Sequence, residues 1–319
     1  MERLLLVANP AASGFTAALH REVLATLRRR YDVTPAWPSG PEEAEAGARQ
    51  AAADGVEVVA AMGGDGIVHR VANGIVATRS ALAVIPAGTG NVFARITGHP
   101  RRGGAAARAI IASTRITALP TIRLDATGDQ TAIARIVLFA TGLGYDADVI
   151  RESEQRPLGK VGSGTLHYTR SALRVALGTY RRRSPDITVS VDGERRRAST
   201  VIAQVHERFT FLGRRSLTLS PNGGPAAIAL QRVSPGRLLR VVGRAARHRT
   251  PSVVPGVTVW HPFTRLVAAV DGMAGLEADG EYLGEVAALS LVVAPESLRL
   301  VDPRPARKGS VDAESDTEV

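Results

Sequence analysis

Three short loops of small and polar residues carry the groups best suited to chemistry. The loop Gly63–Gly66 follows the apolar run Val56–Ala61, and the loops Pro86–Asn91 and Asn9–Gly14 also follow apolar runs. Glycines let backbone N–H groups approach an anion, and a helix that begins directly afterwards adds its dipole. Asp65 would repel a phosphate unless a cation such as Mg²⁺ lay between them. The pattern favours a nucleotide site, although a tight turn capped by Asp65 also fits the loop Gly63–Gly66 taken alone.

The elements around these loops alternate between strand and helix. Leu4–Ala8, Val56–Ala61 and Leu82–Ile85 are short apolar runs typical of buried strands, and residues at helical spacing follow each one. Such alternation predicts an α/β domain, with a parallel sheet covered on both faces. Because the carboxyl ends of parallel strands meet at one edge, we expect the three loops to lie side by side there.

The regular alternation of strand and helix patterns ends at about residue 115. Short runs bounded by Gly, Pro, Asp or Asn predict strands at 187–191, 200–205, 216–219, 257–260, 266–270 and 288–293. Asp192-Gly193 is a hairpin signal between two strands, and helical spacing is confined to Arg170–Tyr180 and Ser234–His248. This half is therefore predicted to be a mainly antiparallel β-sandwich or partial barrel.

These patterns divide the chain into segments. Residues 1–125 are predicted to form the α/β nucleotide-binding domain, and residues 126–302 a β-rich domain whose last segment is free to return to the first domain. Residues 303–319 are polar and are predicted to be a disordered tail.

Composition excludes several classes of protein. The 319 residues contain no Cys, which excludes a disulfide scaffold, a thiolate metal site and a cysteine nucleophile. No apolar run approaches the roughly 18 residues of a membrane span, and the N-terminus lacks a signal peptide, so a cytoplasmic protein is expected. The net charge of +10 leaves nucleic acid, a membrane surface and a phosphorylated substrate open as partners.

Two familiar nucleotide motifs do not explain the loops. Gly159-Lys160 is followed by Val161, so no P-loop occurs. Gly142–Ala147 fits a loose dinucleotide pattern but lacks the strand–helix–strand context that this pattern requires. The histidines are scattered without metal-ligand spacing, and structural or solvent-exposed roles are expected for them.

The motifs taken in order resemble the diacylglycerol kinase catalytic-domain family, which includes bacterial lipid kinases and sphingosine kinases. The resemblance rests on Asn9-Pro10 with Ser13-Gly14, Gly63–Gly66, Gly88–Arg95, Thr141–Ala147, Phe211–Gly213 and Asp279-Gly280-Glu281. It implies an α/β domain that binds ATP, a β-rich domain that holds the lipid, and a reaction in the cleft between them.

The resemblance also implies roles for individual residues. Asp279 takes the position of the proton acceptor with Glu281 beside it, and Asp65 organises Mg²⁺ through water. The residues that would bind ATP are Asn9, Ser13, Gly14, Gly63, Gly64, Asp65, Gly66, Gly88, Thr89 and Asn91. Asp-Gly-Glu also occurs at Asp192, where a hairpin turn is expected, and a hairpin turn is the alternative at Asp279 as well.

The chain departs from the family pattern at several positions. Ile67 replaces a Thr, Arg70 a Glu and Val92 an Asp, and Pro221–Ile228 lacks the carboxylates with which some members bind a structural metal. An ATP-dependent kinase for diacylglycerol, a sphingoid base or a related lipid is the main hypothesis. A pseudokinase that binds lipid or nucleotide is the alternative, and an NAD kinase-like enzyme does not explain the later motifs.

A predicted helix after Ser234 carries basic residues on one face. Arg237, Arg240, Arg244 and Arg247 recur at helical spacing, and residues 208–249 contain nine arginines and no carboxylate. A basic amphipathic helix suits an anionic membrane surface at the inner face of the membrane, and the solvated face of an ordinary domain helix is the alternative. Nucleic acid is disfavoured because no aromatic-rich basic motif occurs, and a homodimer is left open.

Overall fold

Strands and helices alternate along the first 112 residues, as their sequence pattern predicts. The computed structural model describes residues 1–128, 132–155, 172–178, 180, 183–213, 215–220 and 223–304. The elements of this part are β1 (Glu2–Ala8), α1 (Ala17–Leu27), β2 (Tyr31–Ala36), α2 (Pro41–Ala53), β3 (Val58–Gly63), α3 (Asp65–Ile75), β4 (Ala81–Pro86), α4 (Val92–Ile96) and α5 (Gly103–Ala112).

Strands β2, β1, β3 and β4 form a parallel sheet in that order. Every residue of β3 and β4 is buried, which explains why both strands are continuous apolar runs rather than alternating ones. Separate apolar clusters cover the two faces, one built with α2 and α3 and the other with α1 and α5. The parallel arrangement sends the loops after β1, β3 and β4 to the same edge.

Strands dominate the rest of the chain, as predicted. The elements are β5 (Ile116–Thr127), β6 (Ala132–Val137), β7 (Ala140–Gly144), α6 (Tyr145–Gln155), β8 (Ile187–Val191), β9 (Glu194–Ala198), β10 (Thr200–Gln204), β11 (Thr210–Leu212), β12 (Arg215–Leu217), β13 (Ala226–Leu230), α7 (Pro235–Ala245), β14 (Val257–Trp260), β15 (Arg265–Ala278) and β16 (Glu281–Val301). All strand pairs within this half are antiparallel.

The last strand joins the two halves. Strand β16 is 21 residues long, pairs antiparallel with β15 and β5, and meets β4 in parallel where Leu300 lies opposite Leu82. Hydrogen bonding therefore runs through one continuous sheet in the order β14-β13-β10-β7-β15-β16-β4-β3-β1-β2. The predicted fold class is confirmed, and the end of β16 does return to the first sheet. The division at residue 125 stays a prediction.

One helix was absent from the prediction. Helix α6 follows β7 directly, in a region for which neither a strand nor a helix was predicted. The predicted helix Arg170–Tyr180 lies partly outside the described residues, as does Pro221–Ile228, and the predicted tail lies almost wholly outside them. None of the helices that the structure describes is long and apolar enough to cross a membrane.

Candidate functional site

The three glycine-containing loops meet at the carboxyl edge of the parallel sheet. The Gly14 N–H donates to the Ala87 carbonyl at 2.8 Å, and the hydroxyls of Ser13 and Thr89 share a hydrogen bond of 2.8 Å. A Cβ placed on Gly88 would lie 2.5 Å from the Gly64 Cα, so this contact requires glycine. The topology thus brings together the loops that the sequence predicted to converge.

Two asparagines hold the backbone of these loops. The Asn9 side chain accepts a hydrogen bond from the Ala11 N–H. Asn91 adopts a left-handed conformation with φ of 46°, and its amide bonds both the N–H and the carbonyl of Gly88. Asn tolerates this backbone region better than most residues and can satisfy such a tight turn. The described contacts therefore assign Asn9 and Asn91 to the shape of the loops.

Helix α3 begins inside the loop Gly63–Gly66, the second of the three along the chain, without a side-chain cap. Gly64 precedes it with no side-chain hydrogen bond, and Gly66 lies exposed with open space around its Cα. First-turn N–H groups of a helix have no partner within the helix, and they attract anions together with the dipole. Ile67 packs against Gly63, where an added Cβ would meet its side chain at 2.5 Å. The start of α3 therefore offers backbone donors, while Ile67 serves packing.

Asp65 joins the second loop to the third. Its two carboxylate oxygens accept hydrogen bonds of 2.9 Å from the N–H groups of Val92 and Phe93, at the start of α4. Burial raises the pKa of Asp65, the nearby Asp279 adds to that rise, and the two backbone bonds oppose it. Val92, which replaces an acidic residue of the family pattern, thus contributes its N–H to the site.

The residues at this site are suited to a Mg²⁺ ion whose ligands are mostly nucleotide phosphates and water. Each oxygen of Asp65 has used one acceptor position and keeps another lone pair. Mg²⁺ retains several waters and is bound by one or two carboxylates together with substrate phosphates. Within the part of the chain that the structure describes, no group of three His, Asp or Glu residues could by itself hold a metal.

Asp279 lies near Asp65, in the turn between β15 and β16. Asp279 and Gly280 have φ of 52° and 82°, as the hairpin alternative predicted. The side chain is almost completely buried and accepts four hydrogen bonds. Its donors are His69 Nδ1 at 2.7 Å, the N–H groups of Leu138 and Phe139 at 2.8 Å, and the N–H of Ala140 at 3.2 Å. Asp279 therefore anchors the start of β7.

Two adjacent residues of α3 contact both acids of this turn. His69 bonds Asp279, and the Arg70 guanidinium lies 2.8 Å from the Glu281 carboxylate. Arg135 approaches Glu281 from β6 at 3.8 Å. The reversed charge at position 70 is therefore matched by Glu281 rather than left beside the site uncompensated.

His69 lies at the candidate site, where the sequence alone did not place it. A structural or solvent-exposed role was expected; the side chain is buried against Asp279, and its Nε2 has no hydrogen-bond partner in the described structure. The Asp279 carboxylate is the acceptor in its hydrogen bonds. The His69 tautomer with a proton on Nδ1, which can donate to it, therefore fits best. Its spacing of four residues from Asp65 places both on one face of α3, and that spacing was a usable signal.

A second buried acid lies next to this turn. Glu277 is 3% exposed, accepts a hydrogen bond from the Gly280 N–H at 3.1 Å and also bonds the Asp146 side chain. Burial, and then the charge of Asp146, raise the pKa of Glu277 well above its usual value. Two carboxyl groups in contact away from water favour sharing one proton.

A cleft of about 380 Å³ opens between α4 and the segment after β10. Arg95, His206, Arg208 and Arg304 are among its lining residues, and Arg95 also borders a small cavity beside Thr89–Asn91. Burial lowers the pKa of His206 to about 4, so its imidazole is neutral at pH 7. The cleft therefore presents guanidinium groups next to the loops.

Residues 3–122 match the family model described as the diacylglycerol kinase catalytic domain. Short segments also match curated proteins named probable lipid kinase YegS-like. The protein of Xanthomonas axonopodis pv. citri (strain 306) is 42% identical over 83 residues, 23% of this chain and 26% of that protein. The protein of Xanthomonas oryzae pv. oryzae (strain MAFF 311018) is 39% identical over 89 residues, 25% of this chain and 28% of that protein. The matches thus span about a quarter of the length of these relatives.

Solved structures share the fold over almost the whole chain. A diacylglycerol kinase from Bacillus anthracis str. Sterne superposes with a TM-score of 0.66 at 15% identity, covering 94% of this chain and 97% of that one. An NAD kinase from Archaeoglobus fulgidus in complex with ATP gives 0.50 at 12% identity, covering 93% of each chain. The predicted resemblance is confirmed: residues 3–122 match the diacylglycerol kinase catalytic-domain family, and the chain shares the overall fold of a diacylglycerol kinase structure.

Proposed function

We propose that this protein is an ATP-dependent lipid kinase that phosphorylates a hydroxyl of diacylglycerol, a sphingoid base or a related lipid. The observation that carries the proposal is that the three loops meet at Asp65, and that helix α3, on which Asp65 lies, also contacts the acids Asp279 and Glu281. The family match over residues 3–122 and the relatives named as lipid kinases support the same activity.

The loops supply a cradle for the nucleotide phosphates. Uncapped N–H groups at the start of α3 and the hydroxyls of Ser13 and Thr89 offer donors along one edge of the sheet. Mg²⁺, when bound with the nucleotide, neutralises charge on the phosphates. Asp65 would bind the metal through water while its N–H contacts keep the second and third loops together.

The transfer requires a base for the lipid hydroxyl. The hydroxyl oxygen forms a bond to the γ-phosphorus as the bond to the β-phosphate oxygen breaks, and its proton passes to a carboxylate of the turn. Glu281 is 42% exposed, whereas Asp279 is enclosed by four donors. A direct role for Asp279 requires one of these bonds to open, and the Ala140 N–H at 3.2 Å is the longest.

A labelled-ATP assay tests the proposal. Purified protein with ATP, Mg²⁺ and a panel of detergent-solubilised lipids should yield a phosphorylated lipid, and Asp279→Asn should lower kcat by about 100-fold or more. Glu281→Gln in the same assay shows which carboxylate takes the proton. Nucleotide binding without transfer to any lipid would instead identify the pseudokinase.

Asp192→Asn is the matched control for this assay. Asp192 lies in the other Asp-Gly-Glu turn, and its carboxylate also holds backbone N–H groups, those of Thr264 and Arg265. Both substitutions remove a turn anchor, but Asp192 lies outside the proposed site. Asp192→Asn should therefore keep kcat, while an equal loss in both variants would mean that Asp279 acts through folding alone.

A further inference from the structure

The chain segment that contains α7 is rich in arginine and free of acids. Residues 208–270 contain ten arginines and no Asp or Glu. Arg237 and Arg244 donate to the carbonyls of Pro255 and Thr250, while Arg240 and Arg247 donate to carbonyls of α7 itself. None of the arginines of α7 or its C-terminal turn forms an ion pair with a carboxylate that the structure describes. Their positive charges are therefore free to attract an anionic partner.

Helix α7 also exposes apolar side chains beside those arginines. Ser234 caps the helix by accepting from the Arg237 N–H, while Val241 and Ala245 point into the protein. Leu239 on α7 is 75% exposed, and Val253 in the 3-10 turn Pro251–Val253 that follows is 64% exposed. Exposed Leu and Val flanked by arginine is the arrangement of a helix that lies in a membrane interface.

The β11–β12 hairpin connects this surface to the cleft. The Thr218 N–H after β12 donates to the Ala245 carbonyl of α7, and Ser216 contacts His248 just beyond the helix. At the other end of the hairpin, the Arg95 guanidinium lies 3.6 Å from the centre of the Phe211 ring and donates to the Gly213 carbonyl. Since Arg95 lines the cleft, contact between α7 and a flat surface would hold the cleft close to that surface.

We propose that α7 and the turn after it dock on a bilayer that contains anionic phospholipid. Leu239, Val242 and Val253 would enter the interface, and Arg240 and Arg247 would bind the headgroups. The proposal deepens the proposed function, on which it rests for the presence of a lipid substrate in that bilayer. Nucleic acid fits the arginines but gives no role to the exposed leucine and valines.

Vesicle sedimentation of the full chain without ATP tests the docking, independently of turnover. Wild type should sediment with vesicles of phosphatidylcholine and phosphatidylglycerol and much less with phosphatidylcholine alone. Arg240→Gln with Arg247→Gln should weaken binding about tenfold or more, since each basic residue near an anionic leaflet contributes to affinity. Leu239→Ser with Val253→Ser should also weaken it. Arg28→Gln with Arg29→Gln, an exposed pair after α1, is the control and should bind as wild type.

Two outcomes would overturn the docking. Equal vesicle binding by wild type and both α7 variants would place the contact elsewhere. Binding to duplex DNA that needs the arginines, with vesicle binding that needs neither the arginines nor Leu239 and Val253, would make this a nucleic-acid surface. Absence of lipid phosphorylation in the kinase assay would end the proposed function without changing the sedimentation result, so the two failures are distinguishable.

Discussion

Asp192 and Asp279 show how the same tripeptide gives the same turn at two positions. Both residues have φ near 50°, are followed by a glycine with positive φ, and hold the backbone N–H groups of a neighbouring strand. The two carboxylates differ in their side-chain partners. Asp192 is bonded by Thr264, whereas Asp279 receives His69 from α3, 210 residues earlier in the chain. A residue's local turn therefore does not distinguish an anchor from a site residue.

Glu277 gives a prediction at this scale. Because burial raises the pKa of Glu277 well above its usual value, it is protonated over pH values where an exposed glutamate is ionised. Glu277→Gln preserves the shape and the neutral state, so the free energy of unfolding should stay within about 1 kcal/mol of wild type. Urea unfolding of both proteins measures this difference.

The pH dependence of the unfolding free energy and a second variant, Glu277→Ala, test the same assignment. A raised pKa in the folded state stabilises at low pH, and that contribution is lost as pH rises through the folded pKa, so wild type should lose stability relative to Glu277→Gln. Glu277→Ala leaves the Gly280 N–H without its acceptor and should cost about 1–3 kcal/mol. A Gln variant as unstable as the Ala variant would show that Glu277 is ionised.

At the scale of elements, α3 positions most of the proposed site. Its first turn lies at the loops, Asp65 reaches α4, and His69 and Arg70 reach the turn after β15. Helix α3 is held in turn by close packing on α2. A Cβ placed on Gly74 would lie 2.5 Å from the Glu45 carbonyl oxygen and 2.9 Å from the Arg49 nitrogen. The backbones of the two helices touch at this glycine.

Gly74→Ala should therefore destabilise the protein by about 1–3 kcal/mol, because overpacking forces the helices apart. Gly47→Ala, in the middle of α2 where nothing lies within 4 Å of an added Cβ, is the matched control. That change should stabilise by about 0.5–1 kcal/mol through helix propensity. Thermal unfolding of the two variants compares them, and shifts of the same sign would contradict the close contact at Gly74.

At the scale of the whole molecule, the order of the strands explains which features of the fold could be predicted from the sequence. The loops after β1, β3 and β4 follow apolar runs, and parallel pairing brings such loops together without further information. The contact of His69 with Asp279 depends on β15 and α3 meeting across the molecule, which spacing along the chain does not encode. The continuity of the sheet depends on β16 reaching β4 at a single pair, which no local pattern marks.

His99 and His206 connect this architecture to pH. Burial lowers the pKa of each imidazole from 6.5 to about 4. His99 lies after α4, and His206 lies beyond the end of β10, with its ring near Phe93 of α4. Both therefore stay neutral in the folded protein while they become protonated in the unfolded chain below pH 6.5. Since these histidines then bind more protons in the unfolded state, their contribution to stability falls as pH decreases from 6.5 towards 4.

Each histidine should cost about 2 kcal/mol of unfolding free energy between pH 7 and pH 5, at about 1.4 kcal/mol per pKa unit. The raised pKa values of Asp65 and Glu277 act in the opposite direction, so the slope of the wild type alone mixes these contributions. Comparing wild type with His99→Asn across this range isolates one histidine, because the variant lacks its titration and keeps the others. The variant should lose less stability on acidification, and parallel pH profiles would show that His99 is not held neutral by burial.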